Sequence, residues 1–223
     1  MDSIFHGDLI SRRGRAVAWI DSMIIDHGAL RLLWSNWGVV APGQVYRSNH
    51  PTPGRLANAM RRYGVRSVIN LRGATSSGSD ALSRAQAARL KLPLFDVALS
   101  SGRPPVRETV LALADAYATA PRPVLIHCKS GADRAGFAAA VFVLMEGGTV
   151  AQAHRQLSWR FGHLRRSRAG IQDAFLLRYA RDAEGRLGFL DWVRTEYDAA
   201  ALAAGYRANG LAEFVQSRVM ARE

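Results

Sequence analysis

Residues 127–136 read HCKSGADRAG and hold the only cysteine of the chain, Cys128, with Arg134 six positions later and glycines at Gly131 and Gly136. The residues before them, PRPVLIH, form the aliphatic and β-branched run of a buried strand that ends at His127. Those after them begin a helix. Glycines between the two let the backbone turn its N–H groups inward, which makes an anion cradle where the helix starts. The field of that helix end and the Arg134 guanidinium favour the thiolate of Cys128 over the thiol. A nucleophile and an anion site therefore coincide in one loop.

Working outward, VRSVINL at 65–71 is a second buried strand, preceded by an amphipathic helix over 53–63, and residues 92–97 repeat the strand pattern. A helix over 104–119 separates that strand from the one at 123–127. Strands alternating with helices of this length predict an α/β domain. GATSSGSD at 73–80 reads as a surface loop, with Ser79 or Asp80 expected to cap the next helix. Beyond residue 134 the pattern is helical only. An all-apolar helix over 137–145 is ended by Gly147 and Gly148, and further helices are expected at about 149–160, 170–182, 188–203 and 209–221.

The chain has 223 residues, 48% of them hydrophobic, enough for one substantial core. A single cysteine excludes an internal disulfide, and the first residues lack the charged, apolar and small-residue order of a signal peptide, so a cytoplasmic protein is expected. The longest uncharged apolar run, 135–145, is far shorter than the ~20 residues of a membrane span. Net charge is +12, carried by 28 arginines and only two lysines, Lys91 and Lys129. Arginine's planar fork matches phosphate oxygens, which points to phosphate-bearing partners; an arginine- and alanine-rich composition explains the same excess equally well. Residues 10–34 begin with Arg12, Arg13 and Arg15 and place Trp19, Ile20, Met23 and Ile24 on one helical face. A helix packed on the domain is the preferred reading, and peripheral contact with an anionic inner membrane face is the alternative.

HCKSGADRAG resembles the signature loop of the cysteine-based protein tyrosine and dual-specificity phosphatases, in which His-Cys, five residues, Arg and a glycine form the catalytic loop. VYRSNHPTP, a helix and VINLRG resemble the opening of bacterial members of that superfamily. The resemblance implies a dual-specificity-phosphatase-like central sheet flanked by helices, with additional N- and C-terminal helices. Residues 41–185 would form the phosphatase domain, 1–40 an N-terminal helical extension packed on it, and 186–223 a C-terminal helical extension.

By the same resemblance Cys128 attacks phosphorus to give a phosphocysteine, and Arg134 clamps two nonbridging oxygens. Residues Lys129, Ser130, Gly131, Ala132, Asp133 and Arg134 supply the phosphate cradle, and His127 orders the loop. The leaving oxygen needs a proton. Asp96, 32 residues ahead of the cysteine, is the first candidate acid and Asp133, immediately before the arginine, the second. Lys129 adds a positive charge that would favour polyanionic head groups, as in phosphoinositide and phosphatidylglycerophosphate phosphatases. Arg165, Arg166 and Arg168 are either a second basic element at the pocket rim or a solvated turn, and Gln172 is a lesser candidate for positioning water.

The position after the arginine, commonly Ser or Thr in the family, is Ala135. Its missing hydroxyl leaves two functions in view. One is a metal-independent phosphomonoester hydrolase acting on phosphotyrosine, phosphoprotein or a phosphorylated lipid or inositol; the other is a catalytically weak module that binds phosphorylated ligands. No metal or cofactor is expected, because no histidine or carboxylate cluster has ligand spacing. No nucleic-acid partner is expected either, since the arginines are not interleaved with aromatic residues.

Overall fold

The computed structural model describes residues 3–26 and 34–206. Five strands form one sheet in the order β1-β2-β5-β3-β4, with β1 (Gly38–Ala41) antiparallel to β2 (Val45–Ser48). β3 (Ser67–Asn70), β4 (Leu94–Asp96) and β5 (Val124–His127) run parallel to one another, and β5 is also parallel to β2. Parallel strands carry their C-terminal ends to one edge, and the loop after β5 leaves from the middle of that edge. The helices are α1 (Arg12–Ile20), α2 (Pro53–Tyr63), α3 (Gly78–Arg89), α4 (Arg107–Thr119), α5 (Asp133–Met145), α6 (Val150–His154), α7 (Ile171–Asp182) and α8 (Phe189–Thr195).

Side-chain alternation along the strands divides the interior in two. Val124, Ile126 and Cys128 face a core built with Tyr117 of α4, Phe137 and Phe142 of α5, Phe175 of α7 and Trp192 of α8. Leu125 faces the other way, onto Leu56 and Ala59 of α2 and Ala87 of α3. The α/β fold with a central sheet flanked by helices, expected from the sequence, is the fold observed.

Several boundaries differ from the expectation. β1 and β2 are absent from the pattern reading because each has four residues and β2 buries an arginine, Arg47, which erases its apolar signature. Helix α5 starts at Asp133, four residues before its apolar run, and its end at the left-handed Gly147 is as anticipated. Ser77 caps α3 by accepting from Asp80 N–H, which places Ser79 and Asp80 inside the first turn. The stretch over 149–160 breaks after α6 into short 3-10 turns, Trp159–Phe161 and Arg168–Gly170. The expected helix over 209–221 lies outside the described residues.

In the N-terminal segment, α1 continues into a π-helical turn, Asp21–Ile25. It docks through Ala18, Asp21 and Ser22, while Trp19, Ile20 and Ile24 are exposed. The small residue and the polar pair form the buried face because α3 begins there with Gly78, where a Cβ would lie 2.3 Å from Ala18 O. Among the described residues no helix is long and apolar enough to cross a membrane.

Candidate active site

The loop from Cys128 to Ala132 is shaped from outside. Four consecutive carbonyls accept hydrogen bonds from three residues distant in sequence. His50 N–H donates to Lys129 O at 3.2 Å, Asn36 Nδ2 to Ser130 O at 2.9 Å, and one Arg47 nitrogen to both Gly131 O at 2.8 Å and Ala132 O at 3.0 Å. Across a planar trans peptide a carbonyl and the following N–H point in opposite directions. Pinning the carbonyls of 129–132 outward therefore turns the amides of 130–133 inward. Gly131 N–H shows the result, donating to Cys128 Sγ at 3.2 Å.

Gly131 has a left-handed φ of 78°, and a Cβ there would lie 2.7 Å from Asn49 N and 2.8 Å from Ser48 C, so the turn and the close approach both require glycine. Gly136 is needed for packing. A Cβ on it would meet Gln156 O at 2.9 Å and press on the Arg47 guanidinium.

Arg47 is a functional residue that the sequence pattern did not single out. It is fully buried, donates also to Gln156 O at 2.7 Å, and stacks over the Phe161 ring at 3.9 Å. Burial pushes its pKa down to about 10, and the opposing charges of Cys128, Tyr117 and Asp133 hold it from falling further. Its signal in the sequence is slight: an arginine inside the VYRS strand.

Of the predicted residues, Cys128 is buried in the sheet–α5 core at the mouth of the cradle. His127 lies beneath the loop with its ring edge-on to His50 at 4.7 Å. Arg134, in the first turn of α5, has no hydrogen bond or ion pair to another described residue, unlike Arg47, Arg72 and Arg84. Ala135 is fully buried in the same core as Cys128.

Asp133 begins a chain of short contacts that the sequence did not reveal. Its Oδ1 is 2.8 Å from His163 Nδ1; His163 Nε2 is 2.8 Å from Asp173 Oδ2; and Asp173 Oδ1 is 2.8 Å from His154 Nε2. Burial opposes the charged form of His163, but hydrogen bonds and charge from Asp133 and Asp173 outweigh it and push the pKa up to about 9. The imidazolium is thus held between two carboxylates. His154, His163 and Asp173 border a surface cavity of about 540 Å³, also lined by Arg165 and Arg166.

Asp96 is placed differently. It stands at the end of β4, in register with Asn70, which is in turn in register with His127. Its carboxylate accepts from Arg84 of α3 at 2.7 Å and from Asn70 at 3.0 Å. The loop that follows, residues 97–106, contains no Asp or Glu. Gln172 is fully buried and donates to Ser100 O in that loop at 3.3 Å, while its Oε1 has no partner among the described residues. Lys129 turns to Asp26, with Nζ 3.2 Å from Oδ1. Arg168 lies against Gly102 of the same 97–106 loop.

The comparisons with known proteins agree with this geometry. A family model for the DSP-PTPase phosphatase fused to NAD+ kinase matches residues 43–169, more than half of the chain. No curated protein sequence matches. Among solved structures, the core catalytic domain of the PP-IP phosphatase SIW14 from S. cerevisiae is similar with a TM-score of 0.54 and 18% identity, over 68% of this chain and 89% of that one. TpbA from P. aeruginosa has a TM-score of 0.50 and 22% identity over 72% and 89%. A DUF442 phosphatase from Shewanella putrefaciens gives 0.51 and 20% over 66% and 90%. At these identities the structures speak to the fold, and the family model carries the assignment: this chain is a phosphatase of the protein tyrosine and dual-specificity type, a member of the family of DSP-PTPase phosphatases fused to NAD+ kinase.

Proposed function

We propose that the protein hydrolyses phosphomonoesters through a phosphocysteine intermediate on Cys128, without a metal ion. The observation that carries this reading is the set of four outward-held carbonyls, which leaves inward amides around a cysteine sulfur, with Arg134 of the same segment having no side-chain partner among the described residues. Cys128 Sγ attacks phosphorus as the bond to the leaving oxygen breaks. The Arg134 fork and the amides of 130–133 hold the equatorial oxygens, whose charge grows in the transition state.

Asp133 is proposed as the acid ahead of Asp96. It directly follows the loop and has a buried imidazolium at 2.8 Å whose proton it can pass on, whereas Asp96 is bound to Arg84 and Asn70. The Nδ1 proton of the imidazolium passes through Asp133 to the leaving oxygen, which leaves His163 neutral. Water then attacks the phosphocysteine, the thiolate departs, and the proton of that water returns to the Asp133–His163 pair. His127 is assigned an ordering role beneath the loop. Residues 41–185 are proposed to carry this chemistry, together with β1, which begins at Gly38, and Asn36, which holds Ser130 O.

The proposed substrates are phosphotyrosine in a phosphoprotein or a phosphorylated lipid or inositol. Among the similar structures, SIW14 is described as a PP-IP phosphatase and a TpbA variant was solved in complex with pTyr. Phosphate release from an aryl phosphate in the presence of a chelator tests the reading. Wild-type protein should turn over and Cys128→Ser should not, while phosphate-analogue binding survives in the variant. Turnover retained in Cys128→Ser would refute the cysteine mechanism.

Ala135 supports the alternative of a module that binds phosphorylated ligands with little turnover. It is packed with Cys128 in the core and offers no hydroxyl to the departing thiolate.

A further inference from the structure

Beside the phosphate loop, on the side away from α5, a carboxylate from the N-terminal segment is held by an unusual number of groups. Arg72 NH1 and NH2 reach Asp26 Oδ2 at 2.8 Å and Oδ1 at 3.2 Å, a two-pronged arrangement that guanidinium makes equally with phosphate. Lys129 Nζ lies 3.2 Å from the same Oδ1, and Ser79 Oγ hydrogen-bonds Oδ2. Ser79 is in the first turn of α3, a helix of 12 residues whose N-terminal end favours negative charge. Arg72 also approaches His50 Nδ1 at 3.3 Å, and His50 N–H holds Lys129 O, so the cluster is tied directly to the catalytic loop.

We infer that Arg72, Lys129 and Ser79 form a second anion subsite next to the phosphate cradle, that Asp26 fills it as an internal anion, and that its ligand is a second phosphate group on a polyphosphorylated substrate. This rests on the phosphatase reading above and narrows its substrate class. Among the described residues two cations, Arg72 and Lys129, face the Asp26 carboxylate. Lys129 follows Cys128 directly, and Arg72 lies two residues beyond Asn70, which is in register with His127, so a phosphate here would belong to the same molecule as the one on Cys128. Asp26 comes from 46 residues before Arg72, on the segment anchored independently by Asp21 Oδ2 accepting from Gly78 N–H at 2.7 Å. Its carboxylate can therefore leave while the segment stays docked. Asp26 is then a specificity-determining residue. A substrate with one phosphate leaves it in place; a substrate with several must compete with it.

The test compares inositol hexakisphosphate with phenyl phosphate, both as substrates of the full chain and as ligands of its Cys128→Ser form. Asp26→Asn keeps the size of the side chain and removes the competing charge. The ratio of kcat/KM, and the ratio of binding constants, should shift about tenfold toward the polyphosphate, and Lys129→Met or Arg72→Met should shift both the other way. Lys129→Met is the safeguard against misfolding, since Lys129 is 42% exposed. Unchanged ratios in both Asp26→Asn and Lys129→Met, or a shift toward phenyl phosphate in Asp26→Asn, would overturn the subsite. If wild-type protein releases no phosphate from either compound the phosphatase reading fails, and the binding ratios still decide the subsite.

Discussion

The two flanks of the 128–132 loop are held by different forces. Toward α5, Arg47 and Asn36 donate to neutral carbonyls, and the donors are buried. Toward α3, Lys129 and Arg72 meet a carboxylate, and Lys129 is partly in water. A buried donor facing a carbonyl has no competing partner, so its loss leaves both backbone and cavity unsatisfied. The Lys129–Asp26 pair, open to water on the lysine side, is weakened by salt and by competing anions. The first flank therefore sets the shape of the cradle, and the second tunes what is attracted to it.

The largest effect expected is on the rigid flank. Arg47→Met removes the donors to Gly131 O, Ala132 O and Gln156 O and should cost about 3–5 kcal/mol, read from the denaturant midpoint, with activity lost in parallel. Lys129→Met, on the other flank, should cost no more than about 1 kcal/mol. Similar losses for the two would abolish the contrast.

The second effect concerns the acid. Asp133→Asn should slow substrates with poor leaving groups by ~10² to 10⁴ and activated aryl phosphates much less. Asp96→Asn should show no such selectivity, and a larger selective loss there would return the acid role to Asp96.

Third comes pH. The pKa of His163 is raised from 6.5 to about 9, so its stabilising contribution is complete below pH 6.5 and lost as pH rises through 9. The charged groups around it are Asp133 on α5, Asp173 on α7 with His154 of α6 behind it, Arg165 and Arg166 on its own loop, and Arg47 of β2, whose charge couples to Asp133. Stability and turnover of poor leaving groups should both decline near pH 9. His163→Asn keeps a donor toward Asp133 but cannot titrate, so its profile should be flatter above pH 8; an unchanged alkaline limb would remove His163 from the mechanism.

The smallest effect is expected at Ala135. If the missing hydroxyl retards breakdown of the phosphocysteine, wild-type protein should show a burst of leaving group followed by a slow steady rate, and Ala135→Thr should raise the steady rate several-fold. Linear progress curves with no gain in the variant would show that this position does not limit turnover. Neither burst nor turnover on any phosphoester, with phosphate-analogue binding intact, would favour the binding module.

What could be read from the chain lies where the physics is local. A strand ending at His127, a turn demanding Gly131 and a helix starting within seven residues are specified by neighbours in sequence, and so are β3, β4 and the glycine end of α5 at Gly147. Cys128 and Arg134 were legible because one loop brings them together. Asn36, Arg47, His163 and Asp26 were not. They lie between about 30 and 100 residues from their partners in the loop, on segments whose own periodicity reports only helix, strand or turn. Arg47 sits in a four-residue strand whose pattern is not apolar, and Asp26 at the end of a basic amphipathic segment. Nothing adjacent to them states that a carbonyl or a cation waits for them across the sheet. Only the tertiary structure decided which donor turns each peptide of the loop and which carboxylate meets each cation, because those contacts are made by side chains that packing, and not the order of residues, brings within 3 Å.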